Sequence, residues 1–274
     1  MKLIHGDCRE YLFTCEPDSI DLTVTSPPYD NLRTYNNSST WGWAEFAAIA
    51  AGLWRVIKPG GVVVWVVGDA TIKGSETGSS FKQALFFKEC GFNLHDTMIF
   101  DKDSFQKPND KRYWSCFEYM FVFSKGSPNV GNMISDRKNS QAGKRVSSKT
   151  VRNADGTTSK RKLMVISDFG KRKNIWAYST GYGKGSSDKI AYGHPATFPE
   201  QLANDHILSW SNEGDTVFDP FMGSGTTGKM AKQLNRDFIG IEIDSEYFEI
   251  AKQRIEEAQY NQPINRTQND APVI

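Results

Sequence analysis

Asp219-Pro220-Phe221-Met222-Gly223-Ser224-Gly225-Thr226-Thr227-Gly228 is the stretch that decides the fold. A short apolar run over 216–218 reads as a strand before it, and the segment 226–234 reads as a helix after it. A strand that breaks into a helix through glycines exposes backbone N–H groups where a parallel sheet receives its ligand. Gly223, Gly225 and Gly228 satisfy the G-x-G-x-x-G spacing, and Glu242 stands 19 residues beyond Gly223, at the end of a strand expected over 238–241. A carboxylate at that distance can accept hydrogen bonds from ribose hydroxyls, so the pattern points to an adenosine-bearing cofactor. Asp219 narrows the choice. A carboxylate at the loop mouth repels a pyrophosphate but can pair with the α-ammonium of a methionine moiety, which favours S-adenosylmethionine over a nicotinamide dinucleotide.

Outward from this turn the chain alternates strands and helices, the mark of an α/β fold. Strands are expected over 20–25, 62–67, 94–100 and 118–123, and helices over 44–57, 80–90, 198–210 and 245–257. Lys58-Pro59-Gly60-Gly61 reads as the turn between a helix and a strand. The strand over 20–25 ends in Ser26-Pro27-Pro28-Tyr29. Two prolines remove two donors, so the turn presents acceptors. Ser26 Oγ and the Pro27 carbonyl could accept from the two protons of a nucleobase amine, returning density to its nitrogen, while Tyr29 stacks on the flat ring.

These motifs in this order resemble the DNA amino-methyltransferases of the permuted class called beta. The resemblance covers 3–125 and 194–258. It implies a Rossmann-like S-adenosylmethionine-dependent fold with a mixed, mostly parallel sheet flanked by helices, and a target-recognition region inserted between the catalytic and cofactor motifs. Asp219, Phe221, Gly223, Gly225, Thr226 and Thr227 match the methionine-binding loop, Glu242 the ribose acid, and Asp7 an acid touching the adenine amine. His194-Pro195-Ala196-Thr197-Phe198-Pro199 matches the helix entry flanking the cofactor, with Phe198 beside it. Ser26, Pro27, Pro28 and Tyr29 form the catalytic corner, and the target base must leave the duplex to reach it. A serine in this motif inclines the family to cytosine N4, with adenine N6 as the alternative. Cytosine C5 chemistry requires a Pro-Cys nucleophile, and none of Cys8, Cys15, Cys90 and Cys116 follows a proline.

Charge supports the DNA reading. The 274 residues carry 33 Lys plus Arg and 32 Asp plus Glu, yet 125–190 holds 15 of the bases and only four of the acids. Such a basic stretch, poor in apolar periodicity, is expected to be a loop-rich insertion over 125–189 between halves 1–124 and 190–260 of a catalytic domain, with a polar tail over 261–274. Lys144, Arg145, Lys160, Arg161, Lys162, Lys171, Arg172 and Lys173 are its candidate phosphate contacts with double-stranded DNA.

Composition excludes the remaining classes. At 38% apolar and 12% aromatic the chain can bury a core, and its longest apolar run, 62–67, is far short of the roughly 20 residues that cross a bilayer. The scattered cysteines and the absence of an apolar leader fit a cytoplasmic protein, and the four histidines show no metal-ligand spacing. A cognate restriction endonuclease is a possible companion. Two rivals remain at this stage: a nicotinamide-dependent dehydrogenase, which leaves Ser-Pro-Pro-Tyr unexplained, and a non-catalytic nucleic-acid binder, which needs only the basic stretch.

Overall fold

The computed structural model describes residues 1–28, 41–106, 111–146, 150–160, 164–181, 183–194 and 197–259. Its main unit is built on eight strands: β1 (Lys2–His5), β2 (Ile20–Thr25), β3 (Ile57–Val67), β4 (Asn93–Gln106), β5 (Ser115–Ser124), β6 (Ile175–Tyr178), β7 (Thr216–Asp219) and β8 (Asp237–Glu242). They lie in the order β1-β8-β7-β2-β3-β5-β4-β6. Among the described strands of this sheet only β5 runs antiparallel to its neighbours, β3 and β4. The mixed, mostly parallel sheet read from the sequence is therefore present.

Helices α1 (Cys8–Thr14), α2 (Trp43–Val56), α3 (Ser79–Glu89), α4 (Glu200–Trp210), α5 (Thr226–Gln233) and α6 (Ser245–Glu257) connect or flank these strands. The period of α2 explains its place. Phe46, Ile49, Ala50, Leu53 and Val56 recur at three- and four-residue intervals and are all buried against the sheet. Each of the larger ones contributes roughly 1.5–3 kcal/mol by leaving water. Trp65 of β3 is fully buried in the same cluster, and its indole N–H donates to Gln83 Oε1 of α3 at 2.8 Å.

Several boundaries differ from the sequence reading. The helix expected from Phe198 begins at Glu200, because Pro199 holds the preceding residue extended and itself stands at the N-cap. Lys58-Pro59-Gly60-Gly61 lies within β3 rather than before it. It forms an irregularity opposite Asp21, where the register steps from Ile20↔Ile57 to Leu22↔Val62, and the Lys125 carbonyl accepts from the Gly60 N–H. Helix α1 lies outside the helices that periodicity marks; Asp7 caps it by accepting from the Arg9 N–H at 2.8 Å.

The largest difference concerns the insertion. Residues 125–132 and 174–189 belong to the main unit, which comprises Met1–Asn132 and Asn174–Ile264. Strand β6 extends the sheet by pairing in parallel with β4, Ile175 opposite Ile99, and buries Trp176. The second unit, Met133–Lys173, is not a set of loops but a nested antiparallel ribbon. Arg137–Lys138 pairs with Phe169–Gly170, Arg145–Val146 with Met164–Val165, and Thr150–Arg152 with Thr158–Lys160. Its tip is closed by Asp155, whose carboxylate accepts from the Thr157 N–H at 2.9 Å.

Gly225 shows how tightly the glycine turn is built. Its φ is +81°, and an added Cβ would stand 2.9 Å from the Ala251 Cα of α6, which is backbone and cannot yield. Gly225→Ala is expected to lower the free energy of unfolding by about 2–4 kcal/mol. Urea titration of the two proteins measures this directly, and an unchanged midpoint would contradict the packing described.

Candidate active site

Four adjacent parallel strands, β1, β8, β7 and β2, end on the same edge of the sheet. From β7 the chain runs through α5 to β8 on one side, while from β2 it runs through α2 to β3 on the other, so β7 and β2 flank a topological switch point. That is where open α/β sheets bind ligands. The four strand ends carry Asp7, Glu242, Asp219 and Ser26 in that order.

Two hydrogen bonds tie the strand that leads into Ser26-Pro27-Pro28 to the glycine turn. Thr25 Oγ1 donates to Asp219 Oδ1 at 2.6 Å, and Thr227 Oγ1 donates to the Val24 carbonyl at 3.1 Å. Ser26 and Asp219 therefore stand on neighbouring strand ends, as a shared cleft requires. Ser26 and Pro28 are partly exposed there and Pro27 is buried. Tyr29 lies outside the described residues.

Asp219 is the electrostatic centre of the site. It is 1% exposed, and burial pushes its carboxyl up to about 6, although the Thr25 hydroxyl and the Phe221 N–H oppose the rise by donating to it. A buried carboxylate of this kind, with no cation among its described partners, fits the α-ammonium of an amino-acid ligand. Gly223 turns the chain with φ +52°, and His194 lies against it, so a Cβ there would meet His194 Nε2 at 3.1 Å. His194 is thus a neighbour of the turn that the sequence reading credited only as part of a helix entry. Phe198, by contrast, is half-buried just before α4.

Glu242 holds the turn from the other side. Its Oε2 accepts from the Gly223 N–H at 2.7 Å and its Oε1 from the Asp244 N–H at 2.9 Å, and burial raises its pKa. Each oxygen keeps a second lone pair for a ribose hydroxyl. Asp7 is differently occupied. Besides capping α1 it takes the Arg9 guanidinium, Nη2 to Oδ2 at 2.6 Å, and this pairing holds its carboxyl below the ordinary range. Its carboxylate thus caps α1 and pairs with Arg9 at the end of β1, the first of the four adjacent strand ends.

Around the turn the aromatics pack together. Phe221 meets Trp41 edge-on at 5.3 Å between ring centroids, and Trp65 at 6.0 Å. Trp43 lies under the Lys82 ammonium, 3.9 Å from the ring centroid. Trp41 and Trp43 are therefore both engaged in packing. The β4–β5 hairpin also ends on the ligand edge and carries Tyr113, which is fully exposed, and Trp114, which is half exposed. The sequence reading passed over both because they lie beside a predicted strand rather than in a motif.

In the ribbon, Lys144, Arg145, Lys171 and Lys173 are exposed. Arg172 is paired with Asp136, Nε to Oδ2 at 2.7 Å, so its charge already has a partner. The side chain of Lys160, and Arg161 and Lys162 entirely, lie outside the described residues. No helix among the described residues is long and apolar enough to cross a membrane, and no group of His, Cys, Asp or Glu among them is arranged to hold a metal ion.

An acid-lined glycine turn at the switch point of this strand order is the arrangement that an S-adenosylmethionine-dependent methyltransferase requires. The chain belongs to the N6/N4 DNA methylase family, whose model matches residues 20–253. It is 56% identical to the orphan methyltransferase M.BamHII of Bacillus amyloliquefaciens over 93% of this chain and 92% of that one. Its fold is similar to the cytosine-N4-specific PvuII DNA methyltransferase, with a TM-score of 0.65 at 23% identity over 92% and 85% of the two chains. It is similar also to M1.HpyAVI in complex with S-adenosylmethionine, with a TM-score of 0.59 at 22% identity over 93% and 98%. The protein is thus a beta-class amino-methyltransferase that acts on DNA, with S-adenosylmethionine as its cofactor.

Proposed function

We propose that the chain methylates the exocyclic N4 amine of a cytosine turned out of duplex DNA, with Ser26-Pro27-Pro28-Tyr29 holding the amine and the glycine turn holding the cofactor. The observation that carries this reading is the Thr25–Asp219 hydrogen bond, which joins the two turns at neighbouring strand ends. The cofactor supplies an electrophilic methyl group on a sulfonium. Ser26 Oγ and the Pro27 carbonyl accept from the two amine protons, raising density on nitrogen and directing its lone pair. With the cofactor bound, its sulfur would take the C–S electron pair as the leaving group, and the surplus proton of the methylated nitrogen would pass to water, since the Ser26 hydroxyl is no strong base. Asp219 pairs with the α-ammonium, Phe221, Gly223, Gly225, Thr226 and Thr227 line the methionine portion, and Glu242 accepts from the ribose.

The ribbon is the reading head in this proposal. A two-stranded antiparallel ribbon is a shape that the major groove admits, and its exposed bases suit phosphate contacts on either side. Lys144, Arg145, Lys160, Arg161, Lys162, Lys171 and Lys173 are its contacts, with Arg172 positioned through Asp136. Methylation of a fixed site in the cytoplasm would shield that site from a cognate restriction endonuclease.

The choice of base rests on Ser26 and is supported by the similarity to the PvuII enzyme. The deciding measurement incubates unmodified DNA with the protein and S-adenosylmethionine, digests it to nucleosides, and identifies the product by mass spectrometry. N4-methyldeoxycytidine is expected. N6-methyldeoxyadenosine would keep the enzyme class and overturn the base.

A further inference from the structure

The underside of the glycine turn rests on a buried charge cluster that the reading above leaves unused. Arg254 of α6 has a side chain with no exposure at all. Its Nε donates to Asp188 Oδ2 at 3.1 Å, and its Nη2 to Ser186 Oγ at 3.1 Å and Glu200 Oε1 at 2.9 Å. Its Nη1 reaches the turn itself, donating to the Ser224 carbonyl, to Ser224 Oγ at 3.2 Å and to Thr226 Oγ1 at 3.3 Å. Lys229 of α5 completes the cluster: its ammonium donates to Asp188 Oδ2 at 2.6 Å, Glu200 Oε1 at 2.8 Å and Ser187 Oγ at 2.7 Å, while only its backbone N–H reaches the turn, at the Gly225 carbonyl, 2.9 Å. Two cations thus face two carboxylates, a balance that a buried site needs.

Arg254 does something that Lys229 does not. The peptide joining Ser224 to Gly225 is fixed at both ends, its carbonyl by Arg254 and its N–H by the Met222 carbonyl at 2.8 Å. That double restraint sets the peptide plane just before the first amides of α5, which on the proposed reading would face the methionine portion of the cofactor. A planar fork can bridge the acids on one side and the carbonyl on the other, whereas a single ammonium cannot span both.

We propose that Arg254 is a positioning residue for the amino-acid end of the cofactor site: by clamping the Ser224 carbonyl it presets the turn that receives the methionine moiety, and it has no part in holding the adenosine. The inference rests on the assignment of the glycine turn to that moiety.

Calorimetry with two ligands separates this role from general stability. S-adenosylhomocysteine carries the amino acid, while 5′-methylthioadenosine keeps the adenosine and the thioether and lacks it. Arg254→Lys retains the charge facing Asp188 and Glu200 but loses the fork. It is expected to weaken S-adenosylhomocysteine about tenfold and to leave 5′-methylthioadenosine within about twofold. The charge-balanced double variant R254M/E200Q, which leaves Lys229 paired with Asp188, is expected to do the same and serves if the lysine variant fails to fold. Lys229→Met disturbs the same cluster away from the turn, and is expected to lower the melting temperature without changing the preference between the ligands. Equal weakening of both ligands by the Arg254 variants, no weakening of either, or the same selective loss in Lys229→Met would overturn the proposal. A wild-type protein that binds both ligands equally would overturn the assignment of the turn itself, a result distinguishable from the others because it appears before any substitution.

Discussion

Asp219→Asn is expected to yield a protein that melts at a higher temperature than the wild type and binds S-adenosylmethionine far more weakly. The reason lies in the burial of the carboxyl, whose pKa stands at about 6 against an ordinary 3.8. A folded-state pKa above the unfolded one means that protonation favours folding. The corresponding stability is present in full below pH 3.8 and is lost as the pH rises through about 6. Above that, the buried charge costs about 3 kcal/mol at 1.36 kcal/mol for each unit of difference. Asparagine keeps an acceptor for the Phe221 N–H and the Thr25 hydroxyl and removes the charge. Each recovered kcal/mol raises the melting temperature by about 2–4 °C in a chain of this size. The same substitution deletes the partner of the α-ammonium, and losing one member of a desolvated charge pair weakens binding by about 2–5 kcal/mol. The wild type carries a matching signature. Its affinity for S-adenosylmethionine should fall roughly tenfold per pH unit below about 6, because the carboxyl must then release a proton before the cation can enter. The variant should show no such slope. Scanning calorimetry without ligand and titration calorimetry from pH 5 to 8 test both halves, and an apo variant that melts lower than the wild type would refute the electrostatic account.

Ser26→Ala is expected to have the opposite profile, with cofactor binding intact and turnover reduced about a hundredfold, the usual cost of deleting one group aimed at the reacting centre. Ser26 follows Thr25, whose hydroxyl bonds Asp219, so the substitution leaves that bond in place. Tyr29→Ala should likewise spare the cofactor and slow methyl transfer by loosening the everted base. Single-turnover rates with labelled S-adenosylmethionine, set beside calorimetric affinities for S-adenosylhomocysteine, separate the two effects. Loss of cofactor affinity with an unchanged single-turnover rate would reverse the roles assigned to the two turns.

What was legible in the sequence is what local physics determines. Helix α6 matches its expected span because Asp244 is an N-cap and the apolar positions repeat with helical period, and the strands flanking the glycine turn are short apolar runs. The glycine turn and the Ser-Pro-Pro-Tyr corner are legible as motifs, whereas their placement on neighbouring strand ends comes from the strand order, which no local signal gives. What escaped depends on partners distant in sequence. Strand β6 is four residues long inside a basic stretch, and only its pairing with β4 makes it a strand. The ribbon's ladders are two or three residues each, too short to leave a period. Arg254 reads as one more surface charge on an amphipathic helix, because nothing local reveals that Asp188 and Glu200 will meet it. Asp7 carries two readings, a cap from its local sequence and a ligand-binding acid from the family, and its pairing with Arg9 two residues on is a local contact that neither motif announces.

The way residues 133–173 leave and rejoin the main unit bears on how such enzymes diverge. Asn132 is pinned to the end of α4 through the Ser209 carbonyl, and Asn174 to β4, accepting from the Ile99 N–H and donating to the Thr97 carbonyl. His95 of β4 and Trp210 of α4 are themselves in ring contact at 5.4 Å, so the exit and the return are neighbouring fixed points. The entropic cost of a chain closed between such points grows only with the logarithm of its length. A segment closed between such points can therefore change in length and sequence at little entropic cost to the unit that carries the glycine turn, and on the proposed reading such drift would change which DNA is addressed while the chemistry is inherited.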